Sequence, residues 1–170
     1  IGFQIAPLLN AAGRLMDANI AVKFLLSGDK YEAENMAKIL DATNLERREK
    51  ESDMLEKALI LCESQKKSPA MILASPDFHE GINGIVATRL VERFYKPVII
   101  LSEDEEKLRG SGRSIPELHL RDALSGCSDL LDRFGGHSAA AGCSLIIENL
   151  SAFRERFFAI CKKIIPDSSE

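Results

Sequence analysis

The pattern that most restricts this chain lies between residues 71 and 101. Met71-Ile72-Leu73-Ala74 is a short apolar run suited to a buried strand. Ile82, Ile85, Val86, Leu90, Val91 and Phe94 then recur at helical spacing and predict an amphipathic helix. Pro97-Val98-Ile99-Ile100-Leu101 supplies a second buried strand. A strand, a helix and a strand in so short a span make a βαβ unit, with parallel strands and a right-handed crossover. The expected fold class is α/β: a small mixed sheet with this βαβ unit, flanked by helices and preceded by a long linker helix.

The remaining segments fill in around that unit. Lys107 to Ile115 reads as a further strand, Leu118 to Leu124 and Ser128 to Phe134 as short helices, and Cys143 to Ile147 as another strand. A last helix starts at Asn149 or Ser151 and turns Phe153, Phe157 and Cys161 inward. Upstream, Ile1 to Leu9 is apolar, and Asp17 is placed to cap a short helix carrying Ile20, Ala21, Phe24 and Leu25 on one face. Asp29-Lys30-Tyr31-Glu32 resembles a capping box with Asp in the usual Ser or Thr place. Ala33, Met36, Ala37 and Leu40, then Met54, Leu55, Ala58 and Leu61, continue a helical pattern to about Ser64. Between them, residues 46–53 are charged at every position except Ser52. Apolar ends with a charged middle fit a connector between two bodies, or a surface helix with one polar patch. The expected organisation is the end of a preceding domain over 1–28, a linker helix over 29–66, a complete small α/β domain over 67–165 and a frayed tail over 166–170.

Composition bounds the function classes. Hydrophobic residues make up 45% and charged residues 28% of the 170, an ordinary globular mix. No apolar run approaches the roughly 20 residues that cross a bilayer, so no membrane partner is expected. The chain starts mid-pattern at Ile1 without a charged-then-apolar leader, which fits a piece of a longer protein with no signal peptide. Cys62, Cys127, Cys143 and Cys161 are too scattered for a zinc ribbon and fit buried thiols in a reducing cytoplasm. Lys plus Arg total 22 against 26 Asp plus Glu, a net charge of −4. That argues against gripping nucleic acid by bulk charge and leaves a local basic site open.

Three glycine-bearing stretches are candidates for chemistry. Ser75 to Gly84 joins the first strand's carboxyl end to a helix start, where open α/β sheets bind ligands and free N–H groups favour anions. His79 there is placed either to donate to a phosphate or simply to sit in a capping turn. Arg109-Gly110-Ser111-Gly112-Arg113-Ser114, read as a strand, puts Arg109, Ser111 and Arg113 on one face and bare glycine on the other. An Arg fork beside a hydroxyl suits a phosphodiester, since guanidinium pairs phosphate oxygens bidentately. The alternative is a solvated edge strand whose charges block aggregation. In Phe134-Gly135-Gly136-His137-Ser138-Ala139-Ala140-Ala141-Gly142, Gly135 and Gly136 let backbone approach a ligand that His137 can reach. A tight turn with a structural histidine fits the same residues. His119 lies in a helical stretch and is assigned no function.

Metal-dependent phosphodiester hydrolysis needs several carboxylates and histidines converging on one or two ions. The chain has no Asp-x-Asp, His-His or His-Glu-x-x-His element, so no metal ligand is expected in it. It has no Walker loop, no GxGxxG and no GxSxG either. It reads as a binding half without a reaction centre.

Five stretches in order, Asn10-Ala11-Ala12-Gly13-Arg14-Leu15, Asn44-Leu45-Glu46-Arg47-Arg48, His79 to Leu90, Ser111 to Ser114 and Phe134 to Gly142, resemble the RecJ family of single-strand-specific exonucleases in the DHH phosphoesterase superfamily. The resemblance covers nearly the whole chain. It implies a first domain that holds Mn²⁺ or Mg²⁺, a long helix, and a second DHH-associated domain, with single-stranded DNA passing between them and losing nucleotides from its 5′ end. It implies roles in DNA repair and recombination, and a helicase and a single-strand-binding protein as partners. The ion-binding Asp and His residues are absent here, so the resemblance implies a fragment that is inactive alone. By position, Arg14, Ser111 and Arg113 resemble the family's phosphate contacts, and His137 the catalytic residue that closes over the scissile phosphate. Glu80 stands where the family usually has Pro, and Phe78 where Trp is common. Two other readings are a related DHH phosphodiesterase of short oligonucleotides or cyclic dinucleotides, and a non-catalytic interaction module.

Overall fold

The computed structural model describes residues 5–165. The expectations for residues 1–4 and for the tail at 166–170 fall outside the described residues. The chain divides into two compact units at residues 53 and 54, inside its longest helix.

The first unit is helical. Helices α1 (Ile5–Leu15) and α2 (Asn19–Leu26) precede α3 (Lys30–Cys62). Ala12, Ala21 and Leu40 are buried together, with Leu9, Ile20 and Phe24 packed on them. Asp17 does prepare α2: its carboxylate accepts from the Asn19 backbone N–H at 2.9 Å. That hydrogen bond holds the Asp17 carboxyl below its ordinary value. Asp29 caps α3 by accepting from Glu32 N–H at 2.7 Å. The reciprocal half of the box is replaced by Ser27, whose hydroxyl accepts from Asp29 N–H and donates to the Glu32 carboxylate.

The charged middle of α3 is less solvated than its composition implies. Arg47 and Glu51 pair at 2.5 Å, with side chains only 12% and 14% exposed. Buried Asn44 accepts from the same guanidinium at 3.2 and 3.1 Å. An i,i+4 pair held by a third side chain is a fixed feature rather than a loose patch.

The second unit carries a five-stranded mixed sheet in the order β1-β2-β3-β5-β4. The βαβ unit is present as read: β1 (Met71–Ser75), α4 (Glu80–Phe94) and β2 (Val98–Asp104), with β1 and β2 parallel. Strand β3 (Lys107–Arg113) returns antiparallel to β2. Helix α5 (Leu120–Ser125), β4 (Arg133–Gly136), β5 (Ala140–Ile146) and α6 (Leu150–Ile164) complete the unit. The helix expected over Ser128 to Phe134 is not formed. Only a short 3₁₀ turn spans Ser128–Leu130, and Arg133–Gly136 pairs as an edge strand with β5. Gly135 and Gly136 weaken a helix there, and β5, which begins four residues after β4 ends, offers a strand partner instead.

One face of the sheet makes the main core. Ile99, Leu101, Leu108 and Leu145 point to α6, whose Phe153 and Phe157 are fully buried with ring centroids 5.8 Å apart. Cys127, Cys143 and Cys161 lie in this core as free thiols, and burial pushes them up to about 11, 12 and 12. The edge of β1 is covered by a side chain: the Gln65 amide donates to Ile72 C=O and accepts from Ile72 N–H, both at 2.9 Å. That satisfies the outward N–H and C=O of Ile72 on an edge open to pairing with another chain.

Candidate nucleic-acid interface

The other face of the sheet carries the polar residues. Residues paired across neighbouring strands point to the same side, so the register defines rows. Ser102, Arg109, Ser144 and Arg133 form one row across β2, β3, β5 and β4. Ile100, Ser111, Gly142 and Gly135 form the next, and Val98, Arg113 and Ala140 the third. Arg109, Ser111 and Arg113 therefore share a face, as alternation predicts, and Gly135 joins them two strands away.

Helix α4 fixes which face this is. Asn83, fully buried, donates to the Ser102 hydroxyl at 2.8 Å and to Arg109 C=O at 3.3 Å. Ser102 donates back to the Asn83 side-chain oxygen at 3.1 Å. This reciprocal pair pins α4 over β2 and β3. A Cβ on Gly84 would come 2.7 Å from Arg113 Nη2, so the guanidinium lies directly on the glycine surface of the helix. The Arg113 fork is thus held by packing as well as by its bond from Nη1 to Gly112 C=O at 2.8 Å.

The glycines of β3 serve the opposite side. A Cβ on Gly110 would lie 2.3 Å from Ile100 O and 2.6 Å from a Leu101 methyl. The strand is bare there because the core requires it. Gly135 and Gly142 differ: a Cβ on Gly135 would meet nothing within 4 Å, and one on Gly142 only Gly110 O at 3.5 Å. Neither has positive φ. The fold would accept side chains at both, so close approach from outside the chain is the reason for glycine that remains.

His137 follows Gly136, whose φ of 141° is a backbone conformation that excludes most side chains. That turn breaks the strand's alternation, and the hairpin tip is tied down by three backbone bonds. His137 N–H donates to Ala140 O at 2.8 Å, Ser114 N–H to Ala139 O at 3.0 Å, and Leu120 N–H to Ser138 O at 2.9 Å. Ala140 is the β3 partner of Arg113. The register so sets the exposed His137 at the same end of the sheet as Arg113, with β5 between their backbones.

The remaining expected residues are placed differently. His79 is the N-cap of α4, and its Nδ1 accepts from Gly81 N–H at 3.2 Å. His119 caps α5 in the same way, through Asp122 N–H at 3.3 Å. Arg14 stands half-buried in the last turn of α1, in the other compact unit. Among the described residues, no three His, Cys, Asp or Glu side chains converge where a metal ion could be held.

Beyond the cover of α4, β5 and β4 leave a groove of about 550 Å³ between Arg109 and Arg133, with Gly142 and Gly135 among its lining residues. Lys107 also lines it, as do the carboxylates of Glu80 and Asp132. Arg109 and Glu80 face each other at 3.9 Å, both more than half exposed. Arg133 was missed in the sequence because residues 128–134 read as helix, which hid the pairing of β4. Lys107 and Ser144 lay in expected strands, but only the strand order shows that they flank a groove.

The family model for the DHHA1 domain matches residues 67–163, the whole sheet and its helices. The chain belongs to the DHHA1 domain family. It is similar to the single-stranded-DNA-specific exonuclease RecJ of Bacillus subtilis, 42% identical over 98% of this chain and 22% of that protein. It is similar to the Escherichia coli protein of the same name, 42% identical over 92% of this chain and 29% of that one. The crystal structure of Thermus thermophilus RecJ in complex with Mn²⁺ superposes with a TM-score of 0.87 and 35% identity, over 95% of this chain and 24% of that chain. The chain spans about a quarter of the length of these relatives. The mixed sheet and long helix are therefore those of the corresponding part of RecJ-type proteins.

Proposed function

We propose that this DHHA1-domain chain is the strand-holding part of a metal-dependent exonuclease that degrades single-stranded DNA from its 5′ end, in DNA repair and recombination. The observation that carries this reading is the polar face of β3: Arg109, Ser111 and Arg113 on one side, beside a glycine row that the fold itself does not require. Phosphate oxygens match the Arg113 fork, held in place by Gly84, with the Ser111 hydroxyl one register step away. Arg14 contributes a further phosphate contact, and His79 shapes the start of α4. His137, at the tied hairpin tip beside Gly135 and Gly136, contacts the phosphate that is cleaved.

Pre-organised cations and N–H groups stabilise charge that develops on phosphate oxygens, because they need no rearrangement when it appears. Holding the strand in one register also converts an encounter into an aligned reaction. On this reading the Mn²⁺ or Mg²⁺ named in the relatives' structures is held by a part of the protein outside this chain. With Mn²⁺ added, the chain alone releases no nucleotide. A helicase and a single-strand-binding protein are the partners that this reading implies, and the cytoplasm is its compartment.

The test compares binding with stability. Fluorescence anisotropy at low salt should show 5′-phosphorylated oligothymidylate bound in preference to a blunt duplex, with affinity falling steeply as salt rises. Arg113→Glu should abolish binding and shift the thermal midpoint by only a few degrees. Equal loss of binding and fold would make Arg113 structural. Nucleotide release by a clean preparation, removed by His137→Ala, would place the reaction in this chain.

A further inference from the structure

The groove next to the glycine row holds charge that the Arg113 end does not use. Arg109 and Arg133 stand at the two ends of a row with Ser144 between them, on strands β3, β5 and β4. Lys107, two residues before Arg109, lies on the same face and also lines the groove. Three cations meet two carboxylates there, a positive balance on a chain whose net charge is −4.

Distance separates this row from Arg113. Arg109 and Arg113 are four residues apart, which is up to about 13 Å along the strand, and β4 lies two strand spacings, about 10 Å, from β3. The Arg113 guanidinium rests on Gly84 of α4, on the β3 side rather than toward β4. The two backbone positions are thus about 16 Å apart, and with the Arg113 guanidinium laid on Gly84 they favour two phosphates over one. Neighbouring phosphates of a strand are joined by too few bonds to span the combined offset. Between the two positions lie Ser111, Gly142 and Gly135, the row with no side-chain bulk over β5 and β4.

We propose that Arg133, with Arg109 and Ser144, forms a second phosphate position that a strand reaches only when it has three or more nucleotides. This rests on the reading of the face as a single-strand holder and deepens it, by making length the recognised property. The phosphate at the Arg113 end is the first, the sugar-phosphate chain crosses the glycine row, and a later phosphate enters between Arg109 and Arg133. The aromatic residue among the groove's lining, Phe134, pairs with Cys143 and packs on the core face, so the position takes phosphate charge in preference to base identity. Glu80 competes for Arg109 when no strand is present, through an exposed pair weak enough to be displaced.

The experiment measures this chain's affinity for 5′-phosphorylated thymidine dinucleotide and tetranucleotide at several salt concentrations. The tetranucleotide should bind more tightly by about tenfold or more, the effect of one charge-assisted phosphate contact. Arg133→Gln should collapse that ratio toward unity and lower the tetranucleotide's salt slope by about 0.7, the contribution of one neutralised phosphate. Glu80→Gln should raise the ratio, an opposite effect that misfolding cannot imitate. An unchanged ratio in Arg133→Gln with an intact thermal midpoint overturns the second position and leaves the first standing. Failure of the unaltered chain to bind either probe overturns both.

Discussion

The two faces of the β3–β5–β4 half of the sheet are built from the same strands and could hardly differ more. Toward α6, Leu108, Cys143 and Leu145 are buried in a continuous core. Toward α4, the alternate residues are Arg109, Ser111, Gly142, Ser144 and Arg133, and the helix covers only the β2 and β3 part of them. Strand periodicity makes this division possible, since neighbouring residues must point to opposite sides. The apolar face supplies the free energy of folding, and the polar face is left available for a ligand. The same contrast divides the glycines. Gly110 is required by Ile100 and Leu101 behind it, whereas a Cβ on Gly135 would meet nothing within 4 Å among the described residues.

Substitutions can break or sharpen that contrast. The largest effect belongs to the core face. Phe157→Ala removes a fully buried ring and should cost about 3–5 kcal/mol in urea unfolding. A much smaller loss would mean that α6 is not what seals the sheet.

The glycine pair gives the next effect. Gly110→Ala drives a methyl into the Ile100 carbonyl and should destabilise by about 1–3 kcal/mol. Gly135→Ala should stay within about 0.5 kcal/mol of the unaltered chain. Its effect should appear instead in single-strand binding, which Gly135→Val should weaken further. If both glycines report only in stability, the open row has no ligand.

The core's thiols give a test by pH rather than by substitution. Burial raises Cys143 and Cys161 to about 12 from the ordinary value of 9.0. The unfolded chain therefore loses these protons first, and stability should be fully present below about pH 9 and decline as pH rises toward 12. A thiol reagent at pH 8 should label none of the four buried cysteines until urea is added. Rapid labelling of the native chain would show the core face to be looser than its packing implies.

Much of the fold was readable from residue order. The βαβ unit emerged because its elements are long enough to display a period: four adjacent apolar residues, a helix with a repeating stripe, then another apolar run. The last helix was legible for the same reason, with Phe153, Phe157 and Cys161 all buried as spaced. The capping of α3 by Asp29 was local chemistry and survived, although Ser27 took over half of the expected box. Strand β4 was lost because four residues, two of them glycine, carry too little pattern to outweigh an apparent helix.

The polar site divides in the same way. The shared face of Arg109, Ser111 and Arg113 follows from alternation within one strand and needed no partner to predict. The His79 cap was one of two local readings that residue order left open. That Arg47 and Glu51 are nearly buried within a charged run depended on what packs around them. The placement of Arg133 opposite Arg109 required β5 to lie between β3 and β4, an order that no local pattern encodes.

The amino-acid sequence by itself determined the periods, the caps and which residues of each strand oppose one another, because those depend on bonds a few residues long. Tertiary structure decided which strands became neighbours and so which charges meet. Strand order is chosen by burial of the whole apolar face, a quantity that belongs to the assembled sheet and to no segment of it.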